Sequence, residues 1–124
     1  MFDNRHVRSL ANPAMELIEY ATPPEKCTQG RPVQTFHKQF ESADRLFSVG
    51  IWECSVGSFT VNFTGHEFAS LLEGRIMIED EHGSQVMFLP GMQLVFPAGY
   101  KGEWNVLEPS RKSYIWYELN PPTP

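Results

Sequence analysis

Glu67 is the residue whose type and setting most favour chemistry in this sequence. It begins the apolar run Glu67–Leu72, and a β-strand there would carry the carboxylate into an apolar interior. Burial favours the protonated form of a carboxyl group unless a cation or several hydrogen-bond donors compensate. Such a group can act as a general acid or base. A structural carboxylate, bonded to a tyrosine, an indole or backbone amides, is the alternative and stays open.

Lys101 is the cation that the sequence offers as a companion for this carboxylate. It follows the turn Pro97-Ala98-Gly99, which predicts a position at the mouth of a β-barrel. There it could pair with Glu67 or bind a carboxylate of a substrate. A solvated lysine in a turn is the alternative reading. The catalytic candidates are therefore Glu67 and Lys101.

Two pairs of side chains are spaced to share one face of a strand. Trp52 and Cys54 are two residues apart, and so are Tyr114 and Trp116. Because side chains alternate across a strand, each pair could line a pocket and bind a substrate. Cys54 as a nucleophile would need a nearby base or cation to form its thiolate. Buried inert cysteine and aromatic core packing are the commoner fates.

Short apolar runs separated by glycine and proline predict the elements that must position these residues. Asp80–Gly83 reads as a hairpin turn and Pro90-Gly91 as a type II turn, whereas Ser42–Leu46 looks briefly helical. Spacings of about eight to twelve residues between runs are typical of an all-β sandwich or barrel. The predicted strands are Met15–Tyr20, Val33–His37, Leu46–Cys54, Ser58–Phe63, Glu67–Leu72, Arg75–Asp80, Gln85–Leu89, Gln93–Phe96, Glu103–Leu107 and Ser113–Leu119.

Length and composition predict one globular domain over residues 1–124, with an N-terminal arm of about residues 1–14 and a proline-rich tail of about 120–124. The net charge of −5 argues against nucleic-acid and anionic-membrane partners. No apolar run approaches the length that spans a bilayer, and because the first residues lack an apolar region of the secretory kind, a secretory leader is not expected. Two cysteines make no disulfide framework, so a cytoplasmic location is expected. Nucleotide-binding, zinc-module and serine-hydrolase motifs are missing from the sequence.

Four segments between Gly50 and Tyr117 resemble the cupin superfamily. The resemblance is strongest to the small cupins grouped with the ureidoglycine aminohydrolase cupin domain. The segments are Gly50–Cys54, Glu67–Gly74, Leu89–Met92 and Phe96–Trp104. The resemblance implies an RmlC-like jelly-roll barrel, a double-stranded β-helix. It also implies aminohydrolase, isomerase or lyase chemistry on a small carboxylate or ureide. Fold alone does not fix function.

The cupin pattern implies a metal held by His-x-His, a glutamate and a further histidine. Aligned on Glu67 and Gly74, the histidine positions fall at Val61, Phe63 and Gly102. A lone glutamate cannot hold a transition metal tightly. Phe63 and Trp104 would fill the space that a metal needs and join the substrate-binding candidates. The expectation is therefore no metal and no cofactor.

Three functions follow as hypotheses. The first is a metal-independent enzyme that acts on a small polar metabolite, with Glu67 as acid or base. The second is a noncatalytic small-molecule sensor or binding protein. The third is a metalloenzyme with unfamiliar ligands from Glu67, His37 and Cys54, although surface or turn positions are the commoner reading of the histidines. A homodimer is also expected, because small barrels must cover exposed strand edges and Met15–Tyr20 could add to a partner's sheet.

Overall fold

The computed structural model of the chain describes residues 7, 9–11 and 15–120. Most of the predicted N-terminal arm and residues 121–124 of the predicted tail lie outside them. Within the described residues the chain is built from β-strands, with one 3₁₀ turn at Pro24–Lys26, and the all-β prediction is confirmed. No described helix is long and apolar enough to cross a membrane. The strands are β1 Glu16–Ala21, β2 Cys27–Gln29, β3 Val33–Glu41, β4 Phe47–Cys54, β5 Gly57–Asn62, β6 Gly65–Asp80, β7 Gln85–Phe88, β8 Gln93–Phe96 and β9 Lys101–Glu118.

Strand β9 is the seam of an antiparallel sheet that curls on itself. One edge of β9 pairs with β6 along most of its length. The other edge pairs with β5 in its first part and with β4 in its second part. The path continues from β4 through β3 to β1 and from β5 to β2, while β7 and β8 extend β6. Because β9 touches both halves of the sheet, its inward side chains lie at the centre of the fold.

Two strands are longer than the sequence predicts, because two predicted pairs each merge into one. β6 contains both Glu67–Leu72 and Arg75–Asp80. β9 contains Glu103–Leu107 and all of Ser113–Leu119 except its last residue, since the strand ends at Glu118. In β6 the inward positions change from odd to even numbers where the register shifts between Leu71 and Ile76. Gly74, at φ 97°, lies in this bulge. Bulges bend a strand without ending it, so glycine here marks a corner of the barrel rather than a loop.

Smaller elements differ from the prediction in two places. Cys27–Gln29 forms an unpredicted short strand against β5. Ser42–Leu46 is not helical: it is a turn in which Arg45 has φ 65° and Asp44 accepts a hydrogen bond from the Leu46 amide. Ser and Asp stabilise such turns through their side chains, which competes with helix formation.

Both predicted glycine turns are confirmed. Gly83 closes the β6–β7 hairpin with φ 86°. Gly91 has φ 89°, and the Met92 amide donates to the Leu89 carbonyl at 3.0 Å, the bond that closes a type II turn.

The N-terminal strand pairs within its own chain. β1 runs antiparallel to β3, from Glu16 opposite Lys38 to Ala21 opposite Val33. One edge of this strand is thus used within its own chain, while β1 ends the strand order and pairs with no second strand among the described residues, so the addition of Met15–Tyr20 to a partner's sheet stays a prediction. The homodimer itself stays a prediction.

We expect Gly74→Ala to destabilise the fold more than Gly83→Ala. Both glycines have positive φ, which costs an L-residue about 1–2 kcal/mol. A Cβ at Gly74 would also lie 2.6 Å from Ser110 Cα and 2.7 Å from the Pro109 carbonyl oxygen, whereas nothing lies within 4 Å at Gly83. Such overpacking adds roughly 1–3 kcal/mol. Urea unfolding measures both variants, and equal losses would contradict this role of Gly74.

Candidate active site

The curled sheet encloses a cavity of about 340 Å³ that opens to solvent on one side. This volume is at the lower end of the range for small-molecule sites. Its wall is largely aromatic, and five of the other lining side chains are polar: Gln34, Lys38, Ser48, Glu67 and Lys112. The aromatic members of the lining are Phe36, Trp52, Phe59, Phe63, Trp104, Tyr114 and Trp116.

Strand alternation places the polar groups inside. On β6, Glu67 lies on the same buried face as Ala69 and Leu71. On β9, Lys112 shares the inward face with Tyr114. Glu67 and Lys112 belong to neighbouring strands, where they lie opposite Trp116 and Leu71 respectively. They are offset by four residues along the strands, and their long side chains meet on the inward face.

The centre of the site is an ion pair between Lys112 and Glu67. Lys112 Nζ donates to Glu67 Oε2 at 2.7 Å, and the two side chains are 3% and 8% exposed. Nζ also lies 4.4 Å from the centroid of the Trp52 ring and 4.0 Å from that of Trp104. An ammonium ion is attracted to the face of an indole ring. The carboxylate and the two rings together replace the water that Lys112 loses on burial.

Burial nevertheless lowers the pKa of Lys112, although the charge of Glu67 and its hydrogen bond oppose this shift. Desolvation disfavours the charged form of an amine, and here it outweighs the attraction of one carboxylate. Among the described residues, Glu67 is also the one hydrogen-bond acceptor that Lys112 Nζ meets. An ammonium has three protons to donate, so this group can still donate to a ligand in the cavity.

The indole of Trp52 is fixed by a chain of hydrogen bonds. Trp52 Nε1 donates to Gln34 Oε1 at 3.0 Å, Gln34 Nε2 donates to Thr22 Oγ1 at 3.1 Å, and the Thr22 hydroxyl donates to the Pro32 carbonyl at 2.7 Å. Buried polar groups bonded in this way hold a single geometry. The ring above Lys112 is therefore held in place by Gln34 at the cavity wall and, behind it, by Thr22.

The indole of Trp104 is held by ring packing instead. It lies edge-on to Trp52 at 5.6 Å and to Phe63 at 5.8 Å between centroids. Within the described part of the chain no hydrogen-bond acceptor is assigned to its buried Nε1. Aromatic pairs in this geometry are mutually attractive.

Lys38 is the second lysine in the lining and has a different environment. Its Nζ lies 3.0 Å from Glu41 Oε2 and 3.1 Å from Glu16 Oε1. Burial would lower the pKa of Lys38, but the hydrogen bonds to Glu41 and Glu16 outweigh it and the pKa is raised. Lys38 therefore stays charged and engaged, whereas Lys112 is the more easily deprotonated of the two.

The residues present do not fit the metal of the cupin pattern. Glu67, the remaining ligand, already holds the Lys112 ammonium. A Cβ at Gly102 would lie 2.5 Å from the Tyr100 hydroxyl and closer still to the Glu79 carbonyl, which leaves no room for an imidazole there. Across the described residues, no three His, Cys, Asp or Glu side chains are grouped as metal ligands.

The alternative ligand set of Glu67, His37 and Cys54 is wrong in its geometry. His37 alternates with the inward residues of β3, and its Nε2 lies 2.5 Å from Glu53 Oε1 on the outer face. His37 and Glu67 thus lie on opposite sides of the sheet. His66 is also engaged, because its Nδ1 accepts a hydrogen bond from the Ala98 amide at 2.8 Å.

The structure brings most of the predicted site residues together. Glu67 and the predicted substrate-binding aromatics line the cavity; these are Trp52, Phe63, Trp104, Tyr114 and Trp116. Two predictions fall outside the lining. Lys101 is exposed and pairs with Asn62 at the start of β9. Cys54 is buried in the core beside the cavity.

Lys112 is the functional candidate that the sequence reading missed. The predicted strand began at Ser113, one residue too late. Had it begun at Lys112, period-2 alternation would have put this lysine on the same face as Tyr114 and Trp116. Lys38 and Gln34 were missed as well, although both lie on a strand, Val33–Glu41, whose first half was predicted.

Comparison with known families agrees with this architecture. Residues 41–114 match the EutQ-like cupin domain family, a segment that contains Glu67 and Lys112. The chain belongs to that family. The predicted cupin fold is confirmed, whereas the finer likeness to ureidoglycine aminohydrolase is not part of this finding. Among curated proteins, none matches the chain.

Solved structures share the fold at low sequence identity. A protein of unknown function from Pseudomonas syringae pv. tomato superposes with a TM-score of 0.73 at 22% identity, over 82% of this chain and 44% of its own. A putative ethanolamine utilization protein Q from Salmonella typhimurium gives 0.62 at 18% identity, over 70% of this chain and 71% of its own. This cupin thus spans less than half of the Pseudomonas protein.

A third structure is more similar in sequence over a shorter segment. A DUF861 family protein from Thermotoga maritima is 36% identical, with a TM-score of 0.51, over 52% of this chain and 73% of its own. These likenesses establish the cupin fold and no specific activity.

We expect Lys112→Met to destabilise the cupin by about 3–5 kcal/mol, because it leaves the Glu67 charge buried without a partner. Adding Glu67→Gln to the same chain should recover much of that loss, since the uncompensated charge is removed. Urea unfolding of both single variants and the double variant gives the coupling energy. Lys101→Met, at an exposed lysine, is the control and should change stability by about 0.5 kcal/mol or less. Additive losses at Lys112 and Glu67 would contradict the pair.

We expect Cys54 to resist alkylation in the folded protein. Burial raises the pKa of the Cys54 thiol to about 12, although the Lys112 charge opposes the shift, so little thiolate forms at mildly alkaline pH. Iodoacetamide followed by peptide mass spectrometry should modify Cys54 only after urea is added. Modification of Cys54 at the same rate with and without urea would contradict an inert, buried thiol and would support Cys54 as a nucleophile.

Proposed function

We propose that this cupin is a metal-independent enzyme that transfers protons to and from a small polar metabolite, with Glu67 as the acid–base group. The observation that carries the proposal is the Lys112–Glu67 pair, buried at the wall of an aromatic cavity. Titratable groups that are desolvated and paired inside a cleft are typical of catalytic sites.

The pair supplies a proton donor and an acceptor joined by one hydrogen bond. The Lys112 ammonium can donate to a ligand atom that gains negative charge, while the Glu67 carboxylate can accept a proton. The lowered pKa of Lys112 makes exchange of a proton between the two easier than in water. This division of roles replaces the predicted partnership of Glu67 with Lys101, whose exposed position is outside the cavity lining.

The lining also bears on the class of substrate. Both lysines that face the cavity already have carboxylate partners, Glu67 for Lys112 and Glu16 and Glu41 for Lys38. A ligand carboxylate would therefore meet no unpaired cation among the described lining residues. This favours an uncharged polar metabolite, such as an amide, ureide or carbonyl compound. The ureide class is also what the resemblance to ureidoglycine aminohydrolase cupins implies.

Noncatalytic binding is the second candidate, and the same pair offers one observation in its favour. Lys112 and Glu67 neutralise each other and are closely packed by Trp52 and Trp104. Such a pair can be structural, holding a cavity that only binds. A ligand that stabilises the protein and is never consumed would favour this candidate.

The test has two steps. A thermal-shift screen with uncharged amides, ureides and carbonyl compounds finds the ligand; a hundredfold excess over its dissociation constant stabilises by about 2.7 kcal/mol. Turnover is then followed for the wild type, Glu67→Gln and Glu73→Gln. Glu73 lies on the same strand but is exposed, so its variant is the matched control.

We expect Glu67→Gln to lower turnover by about 10²–10⁴-fold, the usual contribution of general acid–base catalysis. Glu73→Gln should be within twofold of the wild type. Equal turnover by Glu67→Gln and the wild type would refute the acid–base assignment. Added zinc or iron should not raise wild-type turnover.

A further inference from the structure

Lys112 has the features of an amine that can react as well as donate. It is enclosed by the faces of two indoles and by Glu67, and it lines the same cavity that would receive a ligand. A lysine in an apolar site is the usual starting point for reaction with a carbonyl compound, because desolvation favours the free amine. The other lining lysine, Lys38, is held by two carboxylates and lacks this property.

We propose that Lys112 forms an imine with an aldehyde or ketone bound in the cavity. This inference rests on the proposed function, because it uses Glu67 as the acid–base group of the same site. It narrows the substrate class to carbonyl compounds and assigns Lys112 a covalent role.

The steps balance within the pair. The Lys112 ammonium first gives a proton to Glu67 across their 2.7 Å hydrogen bond, which leaves a free amine beside a carboxylic acid. Nζ then attacks the carbonyl carbon, a C–N bond forms, and the carbonyl oxygen takes the proton from Glu67. Glu67 next removes a second proton from nitrogen and returns it to the hydroxyl, which leaves as water. The product is a protonated imine with one proton on nitrogen, so two of the three ammonium protons leave in the water.

The surroundings of Nζ suit this product. A protonated imine has the same charge as the ammonium and lies at the same place, opposite Glu67 and between the rings of Trp52 and Trp104 at 4.4 and 4.0 Å. The cation–π attraction that holds the ammonium therefore also holds the iminium ion.

Two further observations agree. Burial lowers the pKa of Lys112 and therefore raises the fraction of free amine near neutral pH. The lining lacks an unpaired cation for a ligand carboxylate among the described residues, which again favours an uncharged carbonyl compound.

Reductive trapping tests the inference. Propionaldehyde and sodium cyanoborohydride are added briefly to the full chain at neutral pH, and each propylated lysine is mapped by peptide mass spectrometry. The sequence has four lysines, so Lys26, Lys38 and Lys101 are internal references in the same sample. We expect Lys112 to be propylated at least tenfold faster than Lys101. Because this comparison uses the wild type, it does not depend on the folding of any variant.

Variants then test the role of the pair. Lys112→Arg keeps the charge but should lose the fast-reacting site, whereas Lys101→Arg should keep it. Glu67→Gln lowers the pKa of Lys112 further, which frees more amine, but it removes the group that transfers the protons. We expect the loss of proton transfer to dominate, so that propylation of Lys112 slows by at least tenfold while that of Lys101 is unchanged. If Lys112 stays unmodified in the wild type, or reacts no faster than Lys101, the inference is wrong.

The outcomes separate this inference from the proposed function. Turnover that depends on Glu67, without trapping at Lys112, would overturn the imine and leave acid–base catalysis in place. Fast trapping at Lys112 that is unchanged by Glu67→Gln would instead support the amine and remove Glu67 from its acid–base role.

Discussion

One buried charge sets the conditions for the rest of this structure. The Lys112 ammonium is almost completely buried. The desolvation free energy of an isolated ion in that position would exceed the whole free energy of unfolding of a small domain. Glu67 supplies the countercharge, and Trp52 and Trp104 supply their ring faces. The hydrogen bonds that fix Trp52, through Gln34 and Thr22, are part of the same requirement. Interactions from four strands and one connecting segment thus converge on a single nitrogen atom.

The same arrangement explains why this cupin departs from the metal-binding pattern. Glu67, the carboxylate that would bind a metal, binds the Lys112 ammonium instead. Val61, Phe63 and Gly102 occupy the three positions at which the cupin pattern has histidines. An ammonium ion differs from a metal ion in what it can do: it can lose protons and can become a nucleophile. The groups in the cavity can therefore transfer protons and react as an amine. Both proposals follow because the Lys112 ammonium takes the place of the metal ion.

Much of this fold could be predicted from the sequence because its turns are marked by the types of residues within them. Gly83 and Gly91 mark their turns by residue type alone, and alternating apolar residues locate the inward aromatics around Glu67. The continuity of β6 and β9 was not predictable in this way, since Gly74 looks like the end of a strand until its pairing with β9 is known. Lys112 was missed for a related reason: lysine is usually exposed, and the partner that makes its burial possible lies 45 residues earlier in the chain. Contacts between distant segments decide such positions, and a single sequence does not display them.

The placement of the indoles gives the molecule an optical property. The chain has three tryptophans, and all of them, Trp52, Trp104 and Trp116, line the one cavity. Two of these rings touch the ammonium of Lys112, whose charge alters the excited state of an indole beside it. The tryptophan emission of the protein therefore originates at the site itself, with no background from tryptophans elsewhere. Binding in the cavity, or a change in the protonation of Lys112, is therefore expected to alter the wavelength and intensity of the tryptophan emission.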